Sequence, residues 1–190
     1  MKQFTRVEPT TVQEVGVMFR REVVIKRFQT DDGLQHEFTT FFRDEDAAVS
    51  VVALTTDGQV VMVRQFRPGP EKWLYDFPGG DIQAGELFEQ AARRELAEET
   101  GYAPGELHYL GDCTESAYMN GRSAVFLATN CVYEASRYKL DQTERDQGAE
   151  VCVISLDELF RLAGCGELCF AGPLALALKY LMNIKGGSHE

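Results

Sequence analysis

Long apolar runs are absent. No stretch approaches the roughly 20 apolar residues that a membrane-spanning helix needs, and residues 1–17 lack the apolar core of a signal peptide. A cytoplasmic protein is expected, with no membrane partner. Histidine is scarce: His36, His108 and His189 are scattered, so no histidine-based metal site is expected. The five cysteines, Cys113, Cys131, Cys152, Cys165 and Cys169, are odd in number and contain no C-x-x-C pair. That argues against a disulfide scaffold and a zinc knuckle and leaves reduced, buried thiols as the expectation. Positive charge is in deficit, 19 Lys and Arg against 30 Asp and Glu, for a net charge of -11. With no polybasic run, neither duplex nucleic acid nor an anionic membrane surface is an expected partner. The acidity suits solubility, and it also suits cation binding.

What is present fits one globular domain with a small additional layer. The chain has 190 residues, enough to bury a sizeable core, and its 44% hydrophobic and 26% charged content argues against wholesale disorder. Residues 1–14 are polar and are expected to be loose. Residues 15–28 and 36–43 read as extended, separated by the turn Thr30-Asp31-Asp32-Gly33, which predicts an antiparallel hairpin ahead of the main domain. Strands are predicted at 47–55 and 60–66 around Thr56-Asp57-Gly58, then at 73–77, where Pro78-Gly79-Gly80 breaks the pattern. A helix is predicted over 86–100 with Gly101 as its stop. Strands at 106–110, 123–128 and 151–154 and helices at 156–162 and 173–181 complete the chain. Interleaved strands and helices indicate an α/β fold with a mixed sheet.

The chemistry is concentrated in GDIQAGELFEQAARRELAEETGY, from Gly80 to Tyr102. At about 100° per residue with Phe88 as zero, Ala92 falls at about 40°, Glu95 at about 340°, Glu99 at about 20° and Glu98 at about 280°. The three carboxylates therefore lie within or at the edge of the apolar arc of Phe88, Ala91, Ala92 and Leu96, while Glu89, Gln90, Arg93, Ala97 and Thr100 are expected to face outward. Desolvated, mutually repelling carboxylates are costly unless a cation offsets them. An oxygen donor set calls for a hard ion: Mg²⁺, with Mn²⁺ as a substitute.

The same residues resemble the Nudix box, G-x5-E-x7-R-E-U-x-E-E-x-G-U, in which U is a bulky aliphatic. Every fixed polar and glycine position matches, Leu96 fits the first U, and Tyr102 departs at the last. The resemblance implies an α/β/α sandwich with a mixed sheet. It implies Glu95, Glu98 and Glu99 as metal ligands, joined by the main-chain oxygen of Gly79. Glu86 and Arg94 are implied to be an architectural ion pair. The flanking sequence VVMVRQFRPGPEKWLYDFPGGDIQAGE resembles the ADP-ribose and nucleotide-sugar pyrophosphatase branch.

That branch implies an N-terminal antiparallel β domain over 1–46, acting in dimerisation and substrate contacts, and a Nudix domain over 47–190. It implies a homodimer, a phosphate contact from Arg67, and a general base in the acidic stretch 140–150, with Glu144 the first choice and Glu150 the second. Phe19, Phe28 and Trp73 are either core residues or platforms for a base. ADP-ribose hydrolases of this branch usually carry proline where this chain has Ala117, which leaves other nucleotide sugars open as substrates. Hydrolysis of nucleoside triphosphates or dinucleoside polyphosphates is the alternative on the same scaffold. A non-catalytic nucleotide-sugar sensor is the alternative of another class.

Overall fold

The computed structural model describes residues 4–15, 21–43, 47–114 and 116–186. In chain order the elements are β1 (Phe4–Val15), β2 (Arg21–Thr30), β3 (Gln35–Arg43), β4 (Ala47–Thr55), β5 (Val60–Arg67), β6 (Lys72–Asp76), α1 (Phe88–Thr100), β7 (Tyr102–Ala103), β8 (Glu106–Thr114), β9 (Arg122–Tyr133), α2 (Gln142–Asp146), β10 (Glu150–Ile154), α3 (Leu156–Gly164) and α4 (Gly172–Gly186). They form two compact units, Met1–Asp46 with Thr114–Arg122, and Ala47–Cys113 with Ser123–Glu190.

The first unit holds a three-stranded antiparallel sheet in the order β1-β2-β3. The expectation that residues 1–14 are loose is corrected here, because β1 pairs with β2 along most of its length. Its threonines and valines suit a strand, and the register shift between Val7 and Thr11 brackets Pro9, whose ring removes a ladder N–H. The β2–β3 turn forms where its residues predict, with the Gly33 N–H donating to the Thr30 carbonyl at 2.8 Å. Segment 114–122 joins this unit through a parallel bridge between Phe41 and Met119. Phe28 sits edge-on to Phe38, ring centroids 5.9 Å apart. Phe19 lies outside the described residues.

The second unit is built on a mixed seven-stranded sheet whose main path runs β10-β5-β4-β9-β7. Side chains alternate across a strand, and here the alternation sorts the core into two layers. Val49, Val51 and Ala53 of β4, with Ala124, Phe126 and Ala128 of β9, pack with Ala91, Ala92 and Leu96 of α1. Val52, Leu54, Val125 and Leu127 point the other way and pack with Leu159 of α3 and Leu174, Ala177 and Leu181 of α4. A helix layer therefore covers each face of the sheet. On β5, Val63 and Arg64 pair with both β10 and β6, so those two strands lie on opposite edges. Residues 60 and 61 pair with both β10 and β4, so β4 and β6 take the same edge in succession. Where β4 leaves β5, its Val49 and Val51 N–H groups donate to the Gly80 and Pro78 carbonyls at 2.9 and 2.8 Å. Those two bonds seat the Pro78-Gly79-Gly80 turn on the sheet.

Candidate active site

Helix α1 starts at Phe88, two residues later than expected. Glu86 is drawn out of the helix: one carboxylate oxygen accepts from the Gln83 N–H at 3.0 Å, and both face Arg94. Gln90 reaches back to the Leu87 N–H at 3.0 Å and caps the first turn. At the far end Gly101 adopts φ 73, and its N–H closes on the Ala97 carbonyl at 2.9 Å.

The inward face is broader than the helical arc predicts. Ala91, Ala92, Glu95, Leu96 and Glu99 are buried as expected, but so are Ala97 and Thr100. Their outward assignment is corrected because the chain after β9 wraps the last turn. The Glu134 N–H donates to the Gly101 carbonyl and the Lys139 N–H to the Glu98 carbonyl at 2.7 Å. The Thr100 hydroxyl donates to the Leu96 carbonyl and accepts from the Tyr102 N–H, which satisfies it where water is excluded.

Three carboxyl groups gather at this end of α1. Glu99 is 8% exposed and accepts from the Gly79 N–H at 3.0 Å. Its carboxyl also lies against that of Glu144, from α2. Burial pushes the Glu99 carboxyl well above the usual carboxylate range; the contact with Glu144 and the charges of Glu144 and Glu95 add to the rise, and the Gly79 N–H opposes it. Glu95 is 9% exposed, and burial raises its carboxyl too, against the pull of Arg94. Gly80 packs on Glu95 so closely that an added Cβ would stand 2.7 Å from Oε1. Among Glu95, Glu98 and Glu99, Glu98 is the most exposed.

Arg94 organises this acidity. It binds Glu86 through two parallel bonds, Nε to Oε1 and Nη2 to Oε2, both 2.8 Å. Its Nη1 reaches Glu95 at 2.7 Å and Glu98 at 3.3 Å, and Nη2 also meets the Asp81 carbonyl at 3.1 Å. The hydrogen bonds from Arg94 hold the Glu86 carboxyl below its ordinary value. The box motif pairs Arg94 with Glu86 alone. The i, i+1 and i, i+4 contacts to Glu95 and Glu98 follow only once the guanidinium fork is oriented by the loop.

Arg67, at the end of β5, is held by Asp76 of β6, with Nε to Oδ2 at 2.8 Å and Nη2 to the same oxygen. Asp76 is 5% exposed, and burial raises its carboxyl despite Arg67. Asp76 lies outside the box motif, but its phase on β6, two residues after buried Leu74, marks it as an inward acid. Glu150 stands at the start of β10, 3.7 Å from Arg64. Trp73 is half-exposed and meets Arg64 and Phe66.

Among the described residues, no three carboxylate, thiol or imidazole side chains stand in a ready-made coordination shell. The reason lies in the bonds just described: Arg94 occupies Glu95 and Glu98, and Glu99 is shared between Gly79 and Glu144. The donor set nevertheless fits a hard cation. It is all oxygen, it is largely buried, and its members raise one another's pKa, a repulsion that a divalent ion would relieve.

The NUDIX domain family model matches residues 44–167. ADP-ribose pyrophosphatase of Bacillus subtilis (strain 168) is 33% identical over 135 residues, 70% of this chain and 71% of that protein. Methanol dehydrogenase activator of Bacillus methanolicus is 30% identical over 144 residues, 75% and 76% of the two chains. A crystal structure of an ADP compounds hydrolase superposes with a TM-score of 0.76 over 98% of this chain and 96% of that one, at 21% identity, a likeness of fold. The box, the helix that carries it and both flanking strands fall inside the matched region, and the chain belongs to the Nudix hydrolase superfamily.

Proposed function

We propose that this Nudix pyrophosphohydrolase cleaves the diphosphate of a nucleoside diphosphate sugar in a reaction that needs Mg²⁺, with Mn²⁺ as a substitute, and that ADP-ribose is its foremost substrate. The observation that carries the reading is the meeting of Glu95, Glu99 and Glu144 beside the Gly79-Gly80 turn. Glu144 comes from a distant part of the chain, and nothing in the core requires a third acid there.

Glu95, Glu98, Glu99 and the Gly79 carbonyl would hold the cation. Bound there, it supplies charge neutralisation at the phosphates and makes water more acidic. Glu144 takes the proton from the attacking water. The oxygen of that water bonds to one phosphorus as the bridging P–O bond breaks, and ADP-ribose yields AMP and ribose 5-phosphate. Arg67 contacts the phosphates while Asp76 fixes its guanidinium. Glu86 and Arg94 keep the box loop and α1 in register. The N-terminal β unit contributes substrate contacts and the face of a homodimer.

Product release from ADP-ribose, ADP-glucose, GDP-mannose, UDP-glucose, a diadenosine polyphosphate and several nucleoside triphosphates, measured with Mg²⁺, tests the reading. Glu98→Gln, Glu99→Gln and a chelated sample are the controls. Cleavage of a diphosphate-linked sugar that is lost in both variants and on chelation is expected. Preference for a triphosphate would overturn the substrate class, and saturable binding without turnover of any compound would overturn the hydrolase reading.

A further inference from the structure

Glu144 rides on α2, a helix of five residues with no buried side chain. So short a helix does not sustain itself in water. Its own bonds are local: Asp141 and Glu144 cap one another at 2.7 and 2.5 Å, and the Ala149 N–H donates to the Glu144 carbonyl at 2.9 Å. These bonds shape the segment but do not fix where it lies. Two contacts tie it to the sheet. The Phe66 N–H of β5 donates to the Gln147 carbonyl at 2.9 Å. Next to it, Gly148 turns with φ 65 directly against the indole of Trp73, where an added Cβ would stand 2.9 Å from the ring.

Trp73 is itself held. The Arg64 guanidinium covers its ring at 4.8 Å from the centroid, Phe66 meets it edge-on at 6.1 Å, and Glu150 stands 3.7 Å from Arg64. It is 44% exposed, so it adds little to the core. A ring covered by a guanidinium and pressed by a glycine is a poor platform for a nucleobase and a good wedge under a turn.

We propose that Trp73 is a positioning residue for hydrolysis: its indole and the Phe66–Gln147 bond together latch the Gln147-Gly148 turn and so hold Glu144 at Glu99. This rests on the reading of Glu144 as the base. Trp73 does not touch the reacting atoms and acts only through the turn.

A double-mutant cycle in the full chain with Mg²⁺ and ADP-ribose tests it. Removing a positioned base costs roughly 100-fold or more in kcat, and displacing one by about an ångström costs on the order of 100-fold. Trp73→Ala is expected to lower kcat with KM unchanged, Trp73→Phe to recover most of the loss, and Trp73→Ala to have no further effect once Glu144→Gln is present. Gly148→Ala, which pushes a methyl into the ring from the other side, is expected to reproduce the loss and to shift the emission of the chain's one tryptophan. Independently of turnover, amide exchange over 141–149 is expected to quicken in Trp73→Ala while β4 and β9 stay protected.

Losses from Trp73→Ala and Glu144→Gln that simply multiply would overturn the latch and leave the base in place. A raised KM with kcat intact would make Trp73 a substrate platform instead. If Glu144→Gln has no effect, the base assignment fails, and unchanged exchange over 141–149 would then sink the latch on its own terms.

Discussion

Placing a methyl on Gly79 and then on Gly80 should separate folding from chemistry at adjacent residues. Neither glycine has a positive φ, so alanine is permitted by the backbone at both and only the neighbours decide. At Gly79 the new Cβ would lie 2.1 Å from the Val49 carbonyl oxygen and 2.9 Å from the Ser50 Cα, both main chain of β4. A strand backbone with buried Val49 and Val51 cannot retreat by an ångström without breaking the bonds that seat the turn. Overpacking a well-packed site costs about 1–3 kcal/mol, and a backbone clash belongs at or above the upper end. At about 2–4 °C per kcal/mol for a chain of this size, Gly79→Ala should melt roughly 6–12 °C below wild type.

At Gly80 the obstacle is different: the Cβ would meet the Glu95 carboxyl at 2.7–3.1 Å, the far end of a side chain that can swing away. Stability should fall by no more than about 1 kcal/mol. Turnover should fall on the order of 100-fold, because a carboxylate of the site has been displaced. Thermal melts and ADP-ribose turnover on both proteins decide the matter. A Gly79→Ala protein that melts like wild type, or a Gly80→Ala protein with full kcat at ordinary Mg²⁺, would refute the steric account of this turn.

Four further outcomes are expected. Mg²⁺ should raise the melting temperature of the wild-type protein by relieving the repulsion among Glu95, Glu99 and Glu144, and Glu99→Gln should shrink that rise; differential scanning fluorimetry with and without a chelator reads it. Leu96→Ala, fully buried between α1 and the sheet, should cost about 2–5 kcal/mol in urea unfolding while leaving the carboxylates in place. Arg94→Ala should cost about 2 kcal/mol in urea unfolding, since it releases the Glu86 loop from α1 and leaves the buried Glu95 carboxylate unpartnered. Burial pushes the Cys131 thiol from 9.0 up to about 11, so its contribution to stability is complete below pH 9 and is lost as pH rises through about 11. Urea midpoints measured from pH 8 to 11 should fall less steeply for Cys131→Ala than for wild type.

Most of the second unit was legible because its signals are local. The β-branched run 47–55, the Thr56-Asp57-Gly58 turn and the spacing of Glu95, Glu98 and Glu99 each act within a few residues, and the structure honours each. What escaped depends on distant partners. The threonines and valines of β1 suit a strand, but its polar, proline-interrupted sequence forms one only with β2 available to pair with it. Ala97 and Thr100 face outward on an isolated helix and are covered only because residues 134–139 return across the last turn. Arg94 could be assigned to Glu86 from the motif, whereas its grip on Glu95 and Glu98 needs the loop in three dimensions. Resemblance alone pointed to Glu144 as a base, and no local periodicity encodes its approach to Glu99.

The stretch that brings Glu144 to the helix is moored at two points, at Lys139 on the Glu98 carbonyl and at Gln147 on the Phe66 N–H. Between the moorings lie few residues, none of them in the core. Lengthening or shortening that span leaves both anchors and the sheet untouched and changes only how far the acid reaches. With Glu144 as the proposed base, its reach is thus decoupled from foldability, and sequence drift in one short span would retune turnover without rebuilding the sheet.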